Sequence, residues 1–173
     1  EFGHALGAIL TGGTVESMQI NPNGSGYTVT RGGSPSVVVM GGYLGSALLG
    51  NVLFRIGARH RALTQTSLIT LAFLMALAGI IWFETFSSTA LLFAFAALLF
   101  VVARKTTWDQ DVLMFLGLAA VLYIIQDFRV GPKSDLVLYE RTMGIFSMHT
   151  WMYIWLIIAG ALFYFNLRAI FKR

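Results

Sequence analysis

Cysteine is absent from the 173 residues, and only 12% of them are charged, about half the share of a soluble domain. Without cysteine there is no disulfide framework, thiolate metal site, iron–sulfur cluster or thiol nucleophile. So little charge, with 57% hydrophobic residues and a mean hydropathy of +0.73, excludes a soluble enzyme and a disordered tail. At about 20 residues per crossing, the apolar content suffices for about five membrane-spanning helices. The net charge is +4 and the pI is 9.7. Nucleic acid is not the partner this implies; basic loops that orient a membrane protein account for it. An initiator Met is also missing. Glu1-Phe2-Gly3-His4 has neither the basic start nor the apolar core of a signal peptide. The expectation is that the earlier part of an apolar span precedes Glu1.

What is present divides readily. A short apolar helix from the start of the chain meets Thr11-Gly12-Gly13, where adjacent glycines stop a helix. Residues 14–33 hold strand formers such as Val15, Ile20, Tyr27 and Val29 around the turn signal Asn21-Pro22-Asn23-Gly24. They predict a β-hairpin. Five apolar runs follow, over 36–54, 66–84, 88–103, 111–127 and 150–168, each near spanning length. The fold expected is an all-α polytopic membrane protein, one domain over 1–173, with about five complete spans, a partial N-terminal helix over 1–12 and the hairpin.

Parity places the hairpin, Asp127 and loop 128–149 on one side, X. Loops 55–65 and 104–110 and the C-terminus fall on the other, Y. Eight Lys and Arg lie on Y and four on X, so the positive-inside rule makes Y cytoplasmic. Which membrane this is, the residues do not say.

Glu1 and His4 lie three apart on one face of an apolar helix. Ionisable residues at membrane depth are costly and mark function by default. The pair matches the last four positions of His-Glu-x-x-His, whose histidines bind zinc from one helix face and whose glutamate polarises the zinc-bound water. The first histidine would stand immediately before Glu1. The plain alternative is a helix start with an exposed glutamate and a satisfied histidine.

The wider pattern is more specific. EFGHALGAILTGG at 1–13 is followed by the hairpin, then by GGYLGSALLGN at 41–51. Later come YIIQD at 123–127, Ser134-Asp135, Thr142-Met143-Gly144 and the tryptophans Trp151 and Trp155. This resembles the site-2-protease-like zinc metallopeptidases, in their compact branch without a PDZ domain. The likeness covers about 1–55 and 120–158. It implies one zinc ion, held by His4, by a histidine just upstream and by a third ligand from an aspartate on a later transmembrane helix. Glu1 is the implied catalytic base.

The residues leave that third ligand open. His60 falls in a Y loop, away from Glu1, and His149 beside Trp151 reads as an interfacial residue. Asp127 ends an apolar run on side X and is preferred, although it could merely mark the end of a span. Asp135 is the fallback; Ser134 or Asp135 could instead cap a helix starting near Leu136. Gly41/Gly45, Gly42/Ser46 and Ser46/Gly50 have the small-xxx-small spacing of closely packed helices. Asn51 fits an interhelical hydrogen bond. The hairpin edge could pair with an unwound substrate strand.

These observations predict an intramembrane zinc metalloprotease embedded in membrane lipid, acting on transmembrane protein substrates. The rival is a non-catalytic relative serving as a structural subunit among partner membrane subunits. A small transporter or channel fits less well, since 66–103 offers almost no polar residue to line a path.

Overall fold

A computed structural model describes residues 1–21, 25–82, 85–126 and 135–171. The elements run α1 (Phe2–Leu10), β1 (Thr14–Ile20), β2 (Gly26–Arg31), α2 (Pro35–Arg59), α3 (Arg61–Ile81), α4 (Phe86–Lys105), α5 (Asp109–Gln126), α6 (Asp135–Met143) and α7 (Met148–Phe171). The protein is helical apart from the two-stranded antiparallel hairpin. Among the described residues, four helices, α2, α3, α4 and α7, are long and apolar enough to cross a membrane. The run at 111–127 forms α5, whose 18 residues rise about 27 Å, slightly under a hydrocarbon layer of about 30 Å.

Helix boundaries differ from expectation at the polar connections. The stretch 55–65, expected as a loop, is helical on both sides, with only His60 between α2 and α3. Arg55, Arg59 and Arg61 are exposed; long basic side chains reach outward without interrupting the helix. The guanidinium of Arg59 donates to the carbonyls of Ala169 and Ile170. It thereby satisfies the last turn of α7, where helical carbonyls lack partners.

Glycine sets the distances near the hairpin and between helices. α1 closes with Gly13 N–H donating to Ala8 O at 2.8 Å, through Gly12 at φ +83. A side chain on Gly13 would meet the backbone of Gly32 at 2.8 Å, so Thr11-Gly12-Gly13 and Gly32-Gly33 abut at the hairpin base. Thr11 Oγ1 ties them, donating to Gly7 O at 2.7 Å and accepting from Ser34 N–H at 2.9 Å. Gly3 faces Gly41 backbone to backbone between α1 and α2. A Cβ on Gly50 would lie 2.6 Å from Gly117 O between α2 and α5. Such contacts are the packing that small residues permit in membranes.

Two larger clusters complete the core. Leu53, Leu68, Ala96, Leu99 and Leu113 join α2, α3, α4 and α5 toward side Y. Tyr43, Leu136, Tyr139 and Trp155 join α2, α6 and α7 near side X. Deep between α2 and α7, Asn166 Nδ2 donates to Asn51 O at 2.7 Å. Asn51 thus sits in an interhelical hydrogen bond, as its position suggested, chiefly through its carbonyl, with its side-chain Oδ1 a longer acceptor at 3.4 Å.

Candidate metal centre

His4 projects from the first turn of α1 toward α2. Its Nδ1 lies 2.9 Å from the carbonyl oxygen of Val38. A carbonyl only accepts, so Nδ1 carries the proton and the lone pair of the neutral ring is at Nε2. The ring lies flat against Gly42, where a Cβ would collide with it. Only glycine at 42 lets the imidazole occupy this place.

Nε2 faces Asp135 Oδ2 at 3.0 Å. Asp135 is the first residue of α6, and α6 is held by two side chains that point inward. Leu136 is fully buried, and Tyr139 is buried against Trp151 and Trp155, each ring centroid 4.8 Å away. Trp155 also stacks on Tyr43 at 4.8 Å, the residue after Gly42. One tryptophan therefore packs on both elements that flank the His4–Asp135 pair.

Glu1 precedes α1 and is partly buried. The Thr28 hydroxyl donates to its Oε2 at 2.7 Å. A Cβ on Gly26 would lie 2.7 Å from Oε1, so the carboxylate is seated directly over β2. Glu1, His4 and Asp135 all line one cavity of about 600 Å³.

An imidazole lone pair and a carboxylate oxygen 3.0 Å apart repel unless a proton or a metal ion stands between them. Tetrahedral zinc, with nitrogen and oxygen ligands at about 2.0–2.2 Å, separates two such atoms by about 3.4 Å. The pair is within a few tenths of an ångström of that spacing. The bond from Nδ1 to a backbone carbonyl is the support that orients ligating histidines. The residues present therefore fit two of the three protein ligands a catalytic zinc needs. Among the described residues, no group of three or more His, Cys, Asp or Glu comes together to hold an ion unaided.

Of the residues singled out by sequence, Glu1, His4 and Asp135 share the cavity. Asp127, preferred as third ligand, lies outside the described residues. His60 is exposed between α2 and α3, and His149 is exposed in the first turn of α7. Sequence reasoning did not find Thr28, Val38 or the contact of Gly42 with His4. Thr28 had one usable signal, a polar residue alternating with Tyr27 and Val29 along a strand.

Helices of spanning length and one cavity lined by a histidine, an aspartate and a glutamate fit a membrane protein of the metallopeptidase class. The chain belongs to the Peptidase M50B-like family, whose model matches residues 1–166; this is the site-2-protease-like group of membrane metalloproteases. No curated protein and no solved structure matches it.

Proposed function

We propose that the protein is a zinc-dependent intramembrane protease that hydrolyses a peptide bond in a transmembrane protein substrate. The observation that carries this reading is the 3.0 Å approach of His4 Nε2 to Asp135 Oδ2, in the cavity that Glu1 also lines. His4 and Asp135 are two ligands of one zinc ion. Bound there, zinc would polarise the scissile carbonyl and bring the pKa of a water to about 7.

The remaining work falls to residues of this chain. Glu1 takes a proton from the attacking water and delivers it to the leaving amine. The hydrogen bond from Thr28 to Oε2 holds the carboxylate in place. The Val38 carbonyl holds the imidazole in the tautomer with its lone pair at Nε2. A helical substrate must unwind before attack, because its carbonyls are already bonded along the helix. Pairing with the hairpin is a means of holding it extended. The outer edge of β1 is engaged at one point, where Ile20 N–H donates to Ser88 Oγ at 2.9 Å, so a strand added there would displace that bond.

Two substitutions test the reading in purified protein. Glu1→Gln should keep zinc and lower cleavage by about 10²–10⁴-fold, because an amide cannot accept the proton. Asp135→Asn should lower zinc affinity by at least about tenfold. Undiminished zinc affinity in Asp135→Asn would remove Asp135 from the ligand set. A non-catalytic subunit, the rival reading, would show no cleavage for Glu1→Gln to abolish.

A further inference from the structure

The cavity has two unlike walls. Glu1, His4 and Asp135 stand on one. The other is formed by Met75 and Ala78 of α3, Leu92 of α4, and Ala119 and Ala120 of α5, all apolar, with Tyr123 of α5 also in the lining. α5 contains two alanines among leucine, valine, isoleucine, methionine and phenylalanine, and both border the cavity. Ala120 also packs toward Gly50 of α2, whereas at Ala119 a larger residue would take up cavity space. Ala78 and Leu92 are buried by their neighbours, whereas Ala119 is exposed to the cavity it lines.

We propose that this wall is a specificity subsite that takes a bulky apolar side chain, leucine or phenylalanine, from a residue flanking the scissile bond, with Ala119 setting its depth. The inference rests on the protease reading above and adds the substrate class to it. About 600 Å³ lies within the range of sites that enclose a small ligand. It exceeds what a peptide bond and its flanking Cα atoms need, so a large side chain can enter with the backbone. A polar or charged side chain directed at Met75, Leu92 and Ala119 would lose its water without gaining a partner. An alanine would leave the space unfilled. Each methylene that fills such a site changes discrimination by about tenfold or more.

The test uses single-span peptides in phosphatidylcholine vesicles containing the purified protein. The cleavage position is mapped by mass spectrometry, and each flanking residue is then varied among Ala, Leu, Phe and Asp. The wild type should favour Leu or Phe over Ala by at least about tenfold in kcat/KM at one flanking position, and should disfavour Asp. Ala119→Leu should lower the Phe-to-Ala ratio by at least about tenfold, and Ala119→Trp further. In a second arm, photoleucine is placed at each peptide position in turn with Glu1→Gln protein. It should label Met75, Leu92 or the 119–120 segment. Cleavage with no flanking preference, or a preference that Ala119→Trp leaves unchanged, overturns the subsite and leaves the protease reading intact. Labelling without any wild-type cleavage supports the subsite and sinks the protease reading. Neither labelling of this wall nor cleavage sinks both.

Discussion

Gly42 is the residue on which the imidazole position depends most directly. A methyl group there would overlap the His4 ring, whereas a methyl on Gly45, one turn on, would meet only Gly3 Cα at an ordinary 3.7 Å. Gly42→Ala should therefore lower zinc affinity by at least about tenfold, and Gly45→Ala should leave it within about twofold; competition with a chromogenic chelator measures both. Equal behaviour of the two variants would show that the ring has another place to go. At this scale the sequence was partly legible. Glu1 and His4 stood out because ionisable groups are rare in an apolar helix. Which aspartate meets His4 was not legible, because Asp127 and Asp135 are both near side X and no local rule ranks them. The approach of Asp135 depends on where Leu136 and Tyr139 bury, which is settled by residues of α2 and α7 far away in sequence.

At the element scale, α6 is the part that tertiary packing holds in place. A 9-residue helix is too short to persist in water alone; it is anchored by Leu136 and by the rings of Tyr139, Trp151 and Trp155. The Tyr139 hydroxyl has only a 3.8 Å contact with Met40 Sδ. Tyr139→Phe should thus be close to neutral, while Tyr139→Ala should cost about 3–5 kcal/mol of local packing. The alanine variant should release zinc faster than its fall in melting temperature alone accounts for, since Asp135 lies one turn earlier on the same helix. Thermal denaturation with and without added zinc separates the two effects. The spanning helices themselves were legible, because runs of about 20 apolar residues leave few alternatives. Their ends were not, because arginines near a membrane surface extend outward and the helix continues past them. The hairpin was legible through its turn sequence, but not the irregularity between Val15 and Ser17, beside which Met18 packs on Ala5 and Ala78.

For the whole molecule, the absence of cysteine provides a clean background for mapping sides. α3 has 21 residues, enough to cross, with His60 at one end and the 82–86 connection at the other. Single cysteines at His60 and Ser87 should react with a membrane-impermeant maleimide from opposite faces of sealed vesicles, Ser87→Cys labelling on the side that carries the hairpin. Labelling of both from one face would mean that α3 does not cross. The count of basic residues makes the His60 face cytoplasmic, while site-2-protease likeness favours a cytosolic hairpin; the same labelling decides between them. Backbone contact between α1, α2 and α5 has a consequence for how the protein meets bilayers of different thickness. Helices adapt to a mismatched bilayer by tilting. Three helices joined through backbone contact at Gly3, Gly41, Gly50 and Gly117 have little side-chain cushion to shear there, so they tilt as one block, and the His4 imidazole keeps its bearing on α2. The α3–α4 pair, joined to that block through side chains, can tilt by itself. A change in lipid length is therefore absorbed where Met75, Ala78 and Leu92 of α3 and α4 border the cavity, and not between His4 and α2.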